Sequence, residues 1–202
     1  MRSLPILLPA AVIRARACPL ASIRQVRTWR LRFVDRDPAA GDPVRPAGWS
    51  DVVEARAAPR HEPPVPDAGG APRRTVELTG DGFRAIWDAP RPVEGPVRLR
   101  GELVVDPLDG LETTGRIHRV RLLTETVRED VAGERVVALT ARDLSAVPKA
   151  VDDGSPGSPD SPDSPGRGAT ALDVRTRDRG VLLDLELDTE LDPQLGPQLR
   201  AR

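Results

Sequence analysis

The chain has 202 residues, a length typical of a single domain. Leu, Ile, Val and Phe account for 50 of them, which exceeds the fraction of about 20% below which a chain stays disordered. Gly and Pro number 39, well above average usage, so we expect a modest core set among long loops. The single Cys excludes an internal disulfide. One Cys and two His are also too few ligands for a Cys/His zinc site.

The net charge of −1 is unevenly distributed along the chain. Residues 1–75 carry 13 Arg and 7 acidic residues, whereas residues 152–202 carry 6 Arg and 11 acidic residues. The basic first third is therefore expected either to contact the acidic last third of the same chain or to bind an acidic partner. Arg outnumbers Lys by 29 to 1, which is typical of a high-GC bacterial coding sequence and makes Arg content alone a weak indicator of phosphate binding.

The first 26 residues are predicted to form a disordered N-terminal extension. The apolar run from Leu4 to Ile13 is broken by two prolines and is shorter than the ~20 residues that span a bilayer. A signal peptide is a less favoured alternative, because Arg14 and Arg16 lie where a cleavage site should be uncharged. We therefore expect no membrane span and a cytoplasmic protein.

Alternating apolar and polar residues predict a series of antiparallel strands within one β-rich domain, residues 27–188. Two short runs on either side of Gly80-Asp81-Gly82 predict a hairpin. The predicted strands are 28–35, 50–56, 76–78, 83–88, 97–106, 115–127 and 135–141. The fold class is therefore all-β, either a small sandwich or a partly open barrel, mostly antiparallel and with long Pro/Gly/Ser-rich disordered segments.

Three further segments are predicted to lie outside the packed structure. Residues 57–73 contain five Pro and two Gly, and residues 152–168 repeat Ser-Pro at every third position. Both are expected to be disordered insertions, since neither has enough apolar side chains to bury. Residues 189–202 are expected to form a C-terminal tail.

A last hairpin is predicted from a change in the parity of apolar positions. Leu172, Val174 and Thr176 share a face on even numbers, whereas a second face holds the odd-numbered residues Val181, Leu183, Leu185 and Leu187. A two-residue turn at Arg179-Gly180 would bring both sets of side chains onto one face of the hairpin and pair its two strands.

Sequence motifs for catalysis and nucleotide binding are missing or misplaced. The pattern Gly166-x-Gly168-x-x-Ala171 follows a linker instead of the strand that a dinucleotide-binding fingerprint requires. The sequence contains no P-loop and no Gly-x-Ser-x-Gly elbow, and no pair of carboxylates stands out. We therefore predict no catalytic residue, no cofactor and no metal site.

The best candidate for a binding surface lies where a loop enters the strand at 115–127. It combines hydroxyl groups, guanidinium groups and one imidazole: Thr113, Thr114, Arg116, His118, Arg119 and Arg121. Arg side chains and backbone N–H groups can bind a phosphate or a carboxylate. The alternative is a solvated strand face in which the arginines pair with Glu125 or with neighbouring strands.

These observations favour a non-catalytic binding or accessory module whose partner is another protein. A nucleic-acid-binding barrel that uses the Arg-bearing face is the first alternative, but alternation directs Trp29, Phe33 and Trp87 to the core instead of to a stacking surface. A small-molecule enzyme is the second alternative, and it requires a pocket with perturbed carboxylates.

Overall fold

The computed structural model describes residues 3–36, 43–66, 69–130, 133–152 and 174–187. Within these ranges the chain forms ten strands and one short helix, α1 (Ala10–Arg14). The strands are β1 (Ser3–Pro9), β2 (Val26–Asp35), β3 (Val52–Pro59), β4 (Val65–Pro66), β5 (Pro72–Thr79), β6 (Arg84–Ala89), β7 (Gly95–Val105), β8 (Leu111–Asp130), β9 (Gly133–Leu144) and β10 (Val174–Leu187).

Eight of the strands form a closed barrel. Their order is β10-β1-β7-β3-β5-β6-β2-β8, and the ring closes because β8 also pairs with β10. The β1–β7 and β2–β6 pairs are parallel and the other pairs are antiparallel, while β2 and β7 pair in addition across the ring. β9 extends the sheet from β8, and β4 pairs with β5. The all-β, mostly antiparallel prediction is confirmed, and closure distinguishes the fold from a sandwich or a partly open barrel.

Strands with one apolar face are found where the alternation predicts them. The predicted strands at 28–35, 50–56, 97–106, 115–127 and 135–141 correspond to β2, β3, β7, β8 and β9. The predicted hairpin is β5–β6, with Val76 opposite Trp87. No helix among the described residues is long and apolar enough to cross a membrane.

The core has two parts on opposite faces of the same sheet. The larger part fills the barrel and includes Phe33, Leu78 and Leu183. The smaller part lies on the outer face of β1, β8, β9 and β10, and its members are Leu7, Trp49, Leu123, Leu139 and Leu182. The segment 43–51 covers this outer cluster, and the N–H of Leu139 donates to the carbonyl of Val44 at 2.8 Å.

The structure corrects the prediction of a disordered extension at residues 1–26. Residues 3–9 are β1, which pairs with β10 from Ser3 opposite Glu186 to Pro9 opposite Gly180. Both faces of β1 are buried, since Ile6 packs inside the barrel and Leu7 packs in the outer cluster. A strand that is buried on both faces shows a continuous apolar run instead of alternation.

The segment 57–73, predicted to be a disordered insertion, is also partly ordered. β3 continues to Pro59, which pairs with Val76, and β4 pairs with the start of β5 at Pro66 and Pro72. Proline is tolerated at these positions because they lie at strand ends, where the missing N–H interrupts no central ladder. The predicted insertion at 152–168 lies outside the described residues except for Asp152, and so does the predicted tail at 189–202.

The last predicted hairpin is instead one continuous strand. β10 pairs with β8 along its whole length, with a register shift between Asp178 and Gly180. This β-bulge changes the parity of the apolar positions without reversing the chain, so it produces the pattern that predicted a turn. Gly180 has φ +151°, and a Cβ atom there would lie 2.3 Å from the carbonyl oxygen of Leu8. Leu172 lies outside the described residues.

Candidate binding surface and cavities

A second β-bulge divides the residues of the predicted binding surface. Asp184 of β10 pairs with Arg119 of β8, and Leu185 pairs with Ile117, so β8 has one extra residue between them. That residue, His118, is exposed. On the N-terminal side of the bulge odd-numbered residues face the barrel interior, and on the C-terminal side even-numbered residues such as Val120 do.

Two of the six predicted site residues are buried and serve the fold. The hydroxyl of Thr113 donates to the carbonyl of Arg84 and accepts from its N–H, both at 2.9 Å. The guanidinium of Arg121 lies on the outer face of β8 and donates to both carboxylate oxygens of Asp184 at 2.9 Å. Neither side chain is accessible to a partner.

The other four predicted residues lie at the surface, and two of them are paired there. The hydroxyl of Thr114 lies 2.7 Å from that of Thr28. Arg119 donates to the two carboxylate oxygens of Asp143 at 2.6 and 2.9 Å. This hydrogen bond lowers the pKa of Asp143 and raises the pKa of Arg119. Arg116 and His118 form no ion pair with any described residue.

Residues 20–26, predicted to belong to the disordered extension, lie beside this surface. The N–H of Arg24 donates to the carbonyl of Ile117 at 2.7 Å, and the N–H of Ile117 donates to the carbonyl of Gln25 at 2.9 Å. Val26 then starts β2 opposite Arg116. We call this the basic–apolar surface, and it consists of Leu20, Ile23, Arg24, Val26, Arg116 and His118.

The basic–apolar surface exposes apolar side chains beside uncompensated charge. Leu20 is 46% exposed, Ile23 is 37% exposed and Val26 is 50% exposed. Within the described part of the chain, Arg24 has no carboxylate partner. The signal available in the sequence was the absence of any acidic residue from 1 to 34.

A cluster of buried charges fastens the segment 43–51 to the sheet. Besides Asp184, Arg121 binds the carbonyl of Ala47 through a hydrogen bond of 3.2 Å. The ring of Trp49 has two guanidinium groups near it, that of Arg45 at 5.8 Å and that of Arg179 at 6.0 Å from the ring centre. Such contacts are stronger when they are shielded from water.

One cavity, of about 210 Å³, lies beside this cluster and has an acidic lining. Its carboxylates are Glu54, Asp81 and Glu102. Burial raises the pKa of Glu102, although the nearby charges of Arg179 and Arg45 oppose that shift. The Glu102 carboxylate accepts a hydrogen bond of 2.6 Å from Arg179. Glu102 is therefore a perturbed carboxylate, and no sequence motif marks it.

A second cavity, of about 320 Å³, lies where α1 and the chain that follows it approach residues 147–149. It contrasts with the first cavity in charge, because the described residues of its lining include two cations and no carboxylate. The lining residues are Leu8, Ile13, Arg16, Cys18, Pro19, Leu20, Val147 and Lys149.

Comparison with protein-family models, curated proteins and solved structures gave no significant match. The chemistry of the surface and of the cavities is therefore the basis for inferring a function.

Proposed function

We propose that the protein is a non-catalytic binding module that acts in the cytoplasm and binds an acidic protein partner through the basic–apolar surface. One observation carries the proposal. Of the seven exposed large apolar side chains in the described structure, three lie between Leu20 and Val26. Clustered exposed apolar residues beside polar ones are typical of protein-interaction sites.

The charge of this surface indicates the chemistry of the partner. Arg24 and Arg116 lie beside Val26 along the chain and across the strand pair, and His118 follows on β8. None of the three forms an ion pair with a described residue. A partner that presents Asp or Glu next to apolar side chains would complement both features. Arg contributes strongly in such interfaces, because its planar guanidinium can bind a carboxylate through two hydrogen bonds.

A protein partner is favoured over a nucleic acid because the protein lacks exposed aromatic rings. All five aromatic side chains of the sequence are buried: Trp29, Phe33, Trp49, Phe83 and Trp87. Single-stranded nucleic acids bind proteins through base stacking on accessible rings as well as through basic grooves. Exposed aliphatic side chains do not supply that interaction.

An enzyme is the second candidate function, and Glu102 is the observation that favours it. A carboxyl group with a raised pKa in a cavity is typical of a general acid or base. Its contact with Arg179 favours instead a role in holding Arg179 against Trp49. A reaction catalysed by the purified chain and lost in Glu102→Gln, with the fold intact, would support the second candidate.

The test of the proposed function compares two matched double variants as bait for partners. Val26→Asp with Arg116→Glu changes the basic–apolar surface. Val34→Asp with Arg98→Glu is the control, because both of those side chains are exposed on the same barrel outside that surface. We expect a partner captured by the wild-type chain to bind the control equally and the first variant at least tenfold more weakly, measured by calorimetry with the purified partner.

Two results would contradict the proposal. One is a partner that binds both double variants with wild-type affinity while thermal unfolding shows both to be folded. The other is tight binding of a dT oligonucleotide that weakens steeply with salt, which would favour the nucleic-acid alternative. Arg116→Glu alone provides a milder change if the double variant is unstable.

A further inference from the structure

The 320 Å³ cavity has an apolar floor and a cationic rim. Leu8, Ile13 and Val147 form the floor, and all three side chains are buried in the barrel core. Pro19 and Leu20 continue the apolar lining towards the surface. The volume falls near the lower end of the range for ligand pockets, about 300–1,000 Å³, so it suits a small ligand.

The rim carries positive charge that no described acidic residue balances. Arg16 and Lys149 are both exposed, and neither forms an ion pair with a described residue. Among the described residues, no carboxylate lines the cavity. A ligand that fits these features has an apolar body and one anionic group.

The backbone at Arg16 is a second observation at this rim. Arg16 has φ +52°, in the left-handed region, at the end of α1. Its N–H donates to the carbonyl of Ile13 at 3.0 Å, and the N–H of Ala17 donates to that of Val12 at 3.1 Å. Glycine is the least strained residue at such a helix end, whereas this chain has an arginine there.

We propose that this cavity binds a short- to medium-chain aliphatic carboxylate, with the alkyl chain against Leu8, Ile13 and Val147 and the carboxylate between Arg16 and Lys149. The interaction is non-covalent. It is separate from the proposed protein-binding function, since the cavity and the basic–apolar surface share Leu20 alone.

Cys18 provides a direct report on whether the cavity is occupied. It is a half-buried residue of the cavity lining and the single Cys of the chain, so a thiol reagent modifies one site. Burial raises the pKa of its thiol, which keeps the group neutral near pH 7 and adds no charge to the rim. A ligand in the cavity covers the thiol and slows its alkylation.

The experiment measures the rate of N-ethylmaleimide alkylation of the full chain with octanoate, octanol or octylamine present. Octanoate is expected to slow alkylation at least tenfold at saturation, while octylamine at equal concentration leaves the rate unchanged. Between hexanoate and octanoate the dissociation constant should fall roughly 15-fold, which corresponds to about 0.8 kcal/mol for each buried methylene. Octanol should protect more weakly than octanoate, and by an amount that does not depend on salt.

Matched variants separate the contribution of the rim charges to octanoate binding from that of the cavity shape. Arg16→Gln with Lys149→Gln should remove most of the protection by octanoate, whereas Arg98→Gln, on β7 outside the cavity lining, should retain it. Calorimetry with octanoate provides a second readout that does not depend on the thiol. The absence of both protection and heat at millimolar octanoate, or equal protection by octylamine, would overturn the proposal. The Val26→Asp, Arg116→Glu variant should keep full protection, so failure here and failure of the protein-binding proposal are distinguishable.

Discussion

Replacing Asp184 by Ala would leave the guanidinium of Arg121 buried with one hydrogen-bond acceptor among the described residues, the carbonyl of Ala47. The Arg121 side chain is 3% exposed and that of Asp184 is 12% exposed, and Nε of Arg121 already has no acceptor among the described residues. Removing one member of a buried pair costs about 3–5 kcal/mol, because the remaining charge keeps its desolvation penalty. For a chain of this size that loss lowers Tm by roughly 6–20 °C.

Strand β8, which carries Arg121, also supplies the control for this prediction. Arg119 and Asp143 make an equally close pair two positions away, but their side chains are 47% and 64% exposed. Solvent screens such a pair, so Asp143→Ala should change stability far less than Asp184→Ala. Both variants are compared by urea denaturation followed by Trp fluorescence. Equal losses in the two would refute the reasoning, and so would a large loss in Arg121→Met with Asp184→Leu, which removes both charges together.

Three further predictions concern the barrel and its loops. Ile6→Ala should reduce the free energy of unfolding by about 2–5 kcal/mol in urea denaturation, because a fully buried side chain is lost; an unchanged midpoint would mean that β1 is not part of the core. Gly180→Ala should be at least as destabilising in thermal unfolding, since its Cβ would collide with the backbone of Leu8, and wild-type stability would contradict the β-bulge. Burial alone would raise the pKa of Asp106, but hydrogen bonds from Arg32 and two backbone N–H groups bring it below its usual value. The stabilisation from this pair is therefore complete above the unfolded-state pKa of about 3.9 and is lost as pH falls through the lower folded-state pKa. The stabilities of wild type and Asp106→Asn should converge in acid titrations, and a constant difference would be inconsistent with this sign.

The sequence predicts those strands in which one face is apolar and the other polar. β2 shows the clearest case, since Trp29, Leu31 and Phe33 are buried while Arg30 is exposed. β1 does not show this alternation of apolar and polar residues, because its outer face is also buried, under the segment 43–51. Whether a continuous apolar run is a two-sided strand or an unstructured extension depends on partners distant in the sequence, and β1 has such partners in β7 and β10.

The candidate surface was predictable only in composition. The sequence shows that Arg119 and Arg121 share a strand, but the depth of each depends on the bulge at His118 and on the charge that β10 places opposite. A bulge and a two-residue turn also change parity in the same way, which is why β10 was predicted as a hairpin. The sequence pattern within one strand does not specify the register in which neighbouring strands pair with it.

The pairing of β1 with β10 has a consequence for biosynthesis. A ribosome releases Ile6 and Leu8 early, yet Leu183 and Leu185, on the strand that pairs with β1, are among the last apolar residues of the barrel to be translated. At about 5–20 residues per second, the apolar face of the nascent β1 stays uncovered for on the order of ten seconds or longer. We therefore expect the barrel to close only after β10 has been translated, and expect the emerging chain to depend on chaperones that shield β1 until then.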